Sequence, residues 1–487
     1  MGLICHQAWF HWVRASLSLL VIAGWAASSQ AQSNAGDAQK PAQGQEAKPP
    51  SARPLPQLNP EARYDYQGEA TIILQRLFKF HSPYEGANSF RSRNETEISD
   101  TYTLFLGARI VSNVEVYVNP ELAWGNGISR GVGLAGYVNG DLIGQPSLRP
   151  EPYLARYFVR WRVPMPHHDS RGAGAQQNAV ETGRAPNIIA GAIPARRLVI
   201  QIGKFGVSDV FDVNSYANNP RTQFLNNAFG NNLAYDYAEE TRGYDLGASV
   251  AWVNPTFALR FGSFAVPTSA GAPDLSFNLD NDHSEQLELE LHPQLLHDHK
   301  PPLIVRLLGY HNTGTMGRYR AALASQTPGA PPNLASVRKP GASKYGFGLN
   351  FEHAVGDGGD TGLFGRFGWN DGVTESSNFA EADRFVSLGA QLSGAHWNRK
   401  SDRIGVAIAQ SDISSAHKDY LAAGGQGLTL GDGKLRYGSE RTLEAYYSYQ
   451  VSKPLTLSFD YQFIGNPGYN RDRSPASLVA LRAHVTF

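Results

Sequence analysis

The chain has 487 residues, 41% of them hydrophobic and 18% charged, and its 43 basic and 43 acidic side chains cancel at pH 7. That balance excludes a dedicated nucleic-acid binder, which needs a basic surface excess. A single cysteine, Cys5, excludes a disulfide-dense scaffold and a thiolate metal centre.

At the N-terminus, the short apolar stretch Leu17–Ala27 follows His11 and Arg14 and precedes Ser29-Gln30-Ala31. A basic end, a short apolar middle and a small-x-small site predict a signal peptide over 1–31, cleaved after Ala31. The stretch is too short for the roughly 20 apolar residues of a spanning helix. Cys5 lies within the signal peptide, far upstream for a lipid anchor. Residues 32–62 are rich in Ala, Gln, Pro and Lys and nearly free of aromatics. They cannot bury enough apolar area to offset ordering entropy, so a flexible periplasmic segment is expected. No second such linker follows, and residues 63–487 are expected to form one domain.

Strand-like runs then recur at 68–80, 99–111, 113–122, 153–163, 196–206, 243–254, 256–266, 283–293, 301–313, 343–354, 361–371, 383–395, 402–412, 439–452, 454–465 and 477–487. About sixteen runs, an even number, predict an all-β fold: a transmembrane antiparallel β-barrel with inward-folded extracellular loops. The connections alternate as a barrel's do. Ser112-Asn113, Asn254-Pro255 and Lys453-Pro454 are very short, whereas 81–98, 123–152, 207–242, 314–342 and 413–438 are long. The long segment 164–195 falls where a short turn is due and reads as an insertion.

Side chains alternate between the two faces of a strand. In the last run, Val479, Leu481, Ala483, Val485 and Phe487 oppose Arg482, His484 and Thr486. Leu287, Leu289 and Leu291 oppose Glu288, Glu290 and His292. Tyr153, Ala155, Tyr157, Val159 and Trp161 oppose Arg156, Phe158, Arg160 and Arg162. A cation facing lipid at mid-bilayer costs about 2–4 kcal/mol, so the charged faces must line a wet lumen. Tyr244, Trp252, Tyr447 and Tyr449 fit aromatic girdles at the lipid interfaces. About sixteen strands leave room for an aqueous channel, and both termini are expected on the periplasmic side of a bacterial outer membrane. Lys204 has lipid-side parity, so it either snorkels or is shifted by a bulge.

By parity the inward charges include Arg109, Glu115, Glu121, Arg156, Arg160, Arg162, Arg260, Glu288, Glu290, Arg306, Glu352, Arg366, Arg403, Glu444, Asp460 and Arg482. Ion-selective pores tend to carry rings of one sign. Mixed signs with nearby aromatics suit a neutral polyhydroxylated solute, whose hydroxyls accept from guanidinium and donate to carboxylate. Pairing of these charges with one another across the lumen is the alternative use. The 207–242 loop is the constriction candidate. Phe211, Phe224, Leu225 and Phe229 need a dry site, and Asp212, Asn214, Arg221 and Asn226 need partners. Folding into the mouth satisfies both; capping the rim from outside is the other option.

Phe80-His-Ser-Pro-Tyr-Glu-Gly-Ala-Asn-Ser89, the Glu115–Glu121 run, Gly203-Lys-Phe, Asp209-Val-Phe-Asp-Val-Asn214, Pro220–Asn226, Thr241–Tyr244, Leu430-Gly-Asp-Gly433 and Gln462–Gly468 occur in order. Through them the chain resembles the carbohydrate-selective outer-membrane porins of the OprB family, from about residue 66 to the end. The resemblance implies a sixteen-stranded barrel with an Arg/Glu-rich narrow zone passing monosaccharides such as glucose, and short oligosaccharides. On that basis Arg109, Glu115, Glu121, Trp124, Arg156 and Arg160 are expected to form the solute-facing wall. Asp212, Asn214, Arg221 and Asn226 would come from the folded-in loop. Asn219 stands where the family is expected to have Asp before Pro220, which removes a charge near the constriction. The expected partners are carbohydrate solutes, outer-membrane lipid and the barrel-assembly machinery, which would read the strand ending in Phe487. A homo-oligomer is compatible with this reading; nucleic acid and cofactors are not called for.

Other signals carry less. Gly131-Val-Gly-Leu-Ala-Gly136 has the dinucleotide-binding glycine spacing but lacks a strand–helix context. His292, His297 and His299, and His167-His168, fall in connecting segments without converging ligands. Adjacent Glu239 and Glu240 rarely flank one glycosidic bond at the carboxyl separation hydrolysis requires. An enzyme would need a nucleophile–base pair on the wall, and none has convincing spacing. A general diffusion porin remains the alternative function.

Overall fold

The computed structural model describes residues 63–142, 151–165, 179–293, 303–377 and 381–487. The expected signal peptide, the 32–62 segment and His167, His168, His297 and His299 lie outside those residues. Sixteen strands form one closed barrel in chain order. They are β1 Tyr64–Leu77, β2 Glu95–Val111, β3 Val114–Gly125, β4 Tyr153–Pro164, β5 Arg197–Phe205, β6 Asp245–Val253, β7 Phe257–Phe264 and β8 His283–Leu291. The second half holds β9 Leu303–Met316, β10 Lys339–Gly356, β11 Thr361–Asn370, β12 Arg384–Ser393, β13 Arg403–Asp412, β14 Glu440–Gln450, β15 Leu455–Gly465 and β16 Ala476–Thr486. All neighbours are antiparallel, and β16 closes on β1. Phe487 and Gly68 exchange both backbone hydrogen bonds at 2.9 Å. Among the described residues no helix is long and apolar enough to cross a membrane, which says nothing of a barrel.

The outer face follows the expected alternation. Leu106, Val159, Ile202, Phe261, Phe347, Ile408, Phe459 and Leu481 are exposed on it, while Arg482 and His484 point inward and are buried. Between β2 and β3 only residues 112 and 113 intervene. The rim with these short connections also carries the ends of β1 and β16, and is called the terminal rim below. The long loops leave the opposite rim.

Three placements differ from those expected. Across β3 and β4 the register shifts at Asn119/Pro120: Asn119 faces Arg156 and Pro120 faces Leu154, so Ala155 has no partner. Proline cannot donate to a ladder, and a bulge is where a strand tolerates it. The extra residue turns Tyr153 inward, against the outward parity expected for it. Trp124 lies on the outward face opposite Asp100 and stacks on Tyr102 at 5.5 Å, so it is not part of the solute-facing wall. Tyr244 is buried rather than in a lipid girdle. It precedes β6, next to Gly243 at φ +86°, so the strand's alternation does not yet govern its ring. Trp252 and Tyr449 are exposed on the outer face as expected. Lys204 keeps outward parity and reaches Glu240 at 3.2 Å.

The 207–242 loop enters the barrel, and the inner wall makes room for it with glycine. A Cβ on Gly368 would lie 2.0 Å from Asn232 Oδ1, and one on Gly362 would lie 2.1 Å from the Tyr216 ring. Gly368→Val should therefore displace the loop while leaving the outer band intact. Faster proteolysis of the loop in otherwise heat-resistant barrels is the expected result; native cleavage rates would contradict it.

Candidate solute site in the lumen

The loop is dry on one side and wet on the other. Phe211, Phe224, Leu225 and Phe229 are each 1% exposed or less. Phe224 packs edge-on against Tyr446 of β14 and against Phe364 of β11. Asn226 caps the short helix Asn227–Gly230, its side chain accepting the Ala228 N–H at 3.0 Å. An asparagine before a helix supplies the oxygen that the first orphan N–H groups lack.

Wall charges hold the loop backbone. Glu288 accepts the Asp212 N–H at 2.7 Å, and Glu444 accepts those of Leu225 and Asn226 at 2.5 and 2.9 Å. Arg482 donates to the carbonyls of Pro220 and Gln223. Fully buried Arg366 pairs with the Asp212 carboxylate at 2.9 Å and donates to the Ala217 carbonyl at 2.8 Å. Asn214 bonds Asn350 at 2.8 Å, and Asn226 bonds Gln462 at 3.0 Å. Asp212, Asn214 and Asn226 thus anchor the loop to the wall and do not line the open part of the lumen.

Opposite that anchored side lies a cavity of about 420 Å³, bounded by β1 to β5, by the loop, and by residues 186–188 of the insertion. Arg221 is its hub. The guanidinium pairs with Asp141 at 2.6 Å, with Glu121 at 3.0 Å, and with Glu69. Burial disfavours the charged form of Arg221, but the carboxylates of Asp141, Glu121 and Glu69 outweigh it and hold its pKa well above the usual value. Glu121 also accepts from the hydroxyls of Tyr153 at 2.5 Å and Tyr244 at 2.9 Å. Arg156 forms a two-pronged pair with Asp209, both bonds at 2.7 Å, and lies over the Tyr244 ring at 4.8 Å. Arg242 lies over Tyr153 at 3.9 Å. The site is a set of guanidiniums held on carboxylates and aromatic faces, geometry that fixes direction as well as charge.

Of the sequence-predicted residues, Glu121, Arg156, Arg160 and Arg221 border this cavity. Arg109 and Glu115 pair at 3.2 Å nearer the terminal rim, where Glu115 also holds Arg162. Glu69, Asp141, Tyr153, Asp209, Glu239, Arg242 and Tyr244 border it without having been predicted. Pro120, a strand proline, is the one sequence signal that could have found Tyr153.

Glu239 is fully enclosed. Burial, then the nearby Asp209 charge, push its carboxyl well above the usual range, against the opposing pull of the Ser208 and Val207 N–H groups and Arg156. The docked loop therefore binds a proton that a released loop would give up. Docking is favoured below the ordinary carboxyl pKa of about 4.3 and weakens as pH rises from there toward the raised value. Loop proteolysis should accelerate with pH in the native protein, and Glu239→Gln should flatten that dependence; parallel profiles would refute the assignment.

A closed, even-stranded barrel with an inward-folded loop and a charge-paired lumen defines a porin-type channel, a transporter rather than an enzyme. The family model described as "Carbohydrate-selective porin, OprB family" matches residues 172–487, and the chain belongs to that family, a carbohydrate channel of the bacterial outer membrane. OprB of Pseudomonas putida, in a high-pH structure, superposes with a TM-score of 0.64 at 17% identity, covering 87% of this chain and 94% of that one. An anion-selective porin from Comamonas acidovorans gives a TM-score of 0.45 at 10% identity, covering 87% and 99%. The channel DcaP of Acinetobacter baumannii gives 0.44 at 9%, covering 87% and 97%. No curated protein sequence matches the chain.

Proposed function

We propose that this protein carries out facilitated diffusion of carbohydrates, monosaccharides such as glucose and short oligosaccharides, through an Arg/Glu-lined constriction at Arg221, Glu121 and Arg156. The observation that carries this reading is the charge balance of the cavity. Arg156, Arg160, Arg221 and Arg242 face Glu69, Glu121, Asp141, Asp209 and Glu239, and burial favours the neutral form of Glu239. A neutral solute that both donates and accepts hydrogen bonds uses such a lining better than an ion does. Its C–H faces would lie on Tyr153, Tyr244 and Phe158. The volume falls within the range of about 300–1,000 Å³ typical of small-molecule sites.

The terminal rim is read as periplasmic, because bacterial barrels keep short turns there and long loops outside. The β16 edge ending at Phe487 is then the segment the barrel-assembly machinery would engage. One barrel is taken as the conducting unit, whether or not barrels associate into a homo-oligomer. In a planar bilayer the purified protein should conduct ions, and added monosaccharide should block that current. Arg156→Ala should weaken block several-fold, since both the Asp209 pair and the Tyr244 contact depend on it. Absence of block by every sugar tried would end the carbohydrate reading.

One observation favours a general diffusion porin instead. Several inward charges satisfy each other away from the cavity, as Arg260 does with Glu288 at 2.9 Å and Glu290 at 3.1 Å. Equal liposome-swelling rates for sugars and size-matched non-sugars would support it.

A further inference from the structure

The longest connection at the terminal rim lies between β4 and β5. There, Ala179–Thr182 pairs with Gly191–Pro194 as a two-stranded ribbon, Thr182 directly opposite Gly191. Between them the tip, Gly183–Ala190, turns into the barrel. It is built around a tight turn in which Ala185 and Ile188 exchange backbone bonds at 2.9 and 3.3 Å. Pro186 and Asn187 are the central residues, and Asn187 has φ +57°. Proline followed by a residue tolerating positive φ is the pattern that a turn of this kind demands.

Ile189 is 1% exposed and packs with Tyr117, Phe158 and Phe205. The wall then grips the tip's backbone. Arg160 donates to the Asn187 carbonyl at 2.7 Å, Gln67 to the Ala185 carbonyl at 2.9 Å, and Arg109 to the Ile189 carbonyl at 3.4 Å. Asn119 bonds the Asn187 side chain at 2.9 Å. These grips come from β1, β2, β3 and β4, the strands that also bound the cavity. Pro186, Asn187 and Ile188 border the cavity on its terminal-rim side, and Arg221, Asp209 and Tyr244 border it on the other.

We infer that the tip Gly183–Ala190 is a second constriction, entering from the terminal rim and forming with the 207–242 loop a two-sided clamp on a passing neutral polyhydroxylated solute. The loop supplies charge pairs. The tip supplies a floor formed by Pro186, Asn187 and Ile188, limits the size of what leaves, and holds Arg160 in place. A tip anchored at so many points is part of the pathway rather than a decoration of the rim. The sugar measurement below rests on the carbohydrate reading; the ion-current measurement does not.

The ribbon makes the test clean. Because Thr182 and Gly191 are paired, Gly183–Ala190 can be replaced by Asn-Gly, the two-residue connection a hairpin accepts without strain. The shortened protein should show a several-fold larger single-channel conductance and shorter sugar-block events than the native protein in the same bilayer. Native conductance with native block would overturn the clamp while leaving the carbohydrate reading standing. Absence of block in both proteins, with the conductance increase retained, would remove the carbohydrate reading and leave the second constriction. If the shortened protein does not insert, Pro186→Cys in a Cys5→Ser background offers a thiol at the cavity edge. A charged thiol reagent should then cut the current of already inserted channels, and an unchanged current would overturn the inference.

Discussion

Arg366→Leu is expected to release the 207–242 loop and raise ionic conductance more than any other single wall substitution. The guanidinium is buried, pairs with Asp212, and donates to carbonyls of Asp212, Phe229 and Ala217. Removing one partner of a buried pair costs about 3–5 kcal/mol, because the other charge is left uncompensated. At about 1.4 kcal/mol per tenfold, that shifts the docked-to-released ratio by about two to three and a half orders of magnitude. The β10–β11 ladder does not depend on this side chain, so the barrel itself should remain folded. Single-channel recording and protection of the loop from protease read the two states. A variant with native conductance and native protection would show that the aromatic contacts of Phe224 and Phe229 hold the loop without Arg366.

Arg221→Ala has the largest expected effect on selectivity. Arg221 is the shared cation of Glu69, Glu121 and Asp141. Without it, three carboxylates converge with only hydroxyls to donate to them among the described residues, those of Thr103, Tyr153 and Tyr244 to Glu121 and that of Thr101 to Asp141. The narrow zone should become cation-selective, read as a shift of reversal potential in a salt gradient. Sugar block should weaken by at least tenfold, given about 1.5–3 kcal/mol for a hydrogen bond to a charged group. Arg221→Lys restores the charge but not a fork reaching three sites, so it should recover ion selectivity and not block. Recovery of both by lysine would mean that the site reads charge alone.

The barrel was legible because its signal is local. Leu481 against Arg482, or Leu287 against Glu288, states which side is lipid before any partner strand is known. The inward placement of the loop was legible from Phe211, Phe224, Leu225 and Phe229, which no solvated loop would carry together. What misled was alternation carried across a bulge. Pro120 breaks the ladder with β4, Ala155 takes up the slack, and Tyr153 turns into the lumen beside Glu121. Tyr244 escaped for a related reason, since it sits one residue before its strand begins. Trp124 was expected on the wall from the resemblance, yet it lies three residues from Glu121, and an odd spacing along a strand puts two side chains on opposite faces.

The insertion is the sharpest case of a segment whose role the sequence leaves open. Its glycine and alanine content marks a connection, but nothing in that composition says that Ile189 joins the buried cluster of Tyr117 and Phe158 or that Arg160 grips Asn187. Those contacts depend on how β1 to β4 curve around it.

By itself, the sequence determined the number of strands, their faces, the sorting of loops between rims and the mixed charge of the lumen, because each of these is written within a few residues of itself. The tertiary structure alone decided which inward charges are spent on anchoring and which remain around a cavity. Arg221 meets Glu69 across 152 positions, and Asn226 meets Gln462 across 236. Only closure of the barrel and folding of the loop bring such pairs within the few ångströms where a hydrogen bond acts.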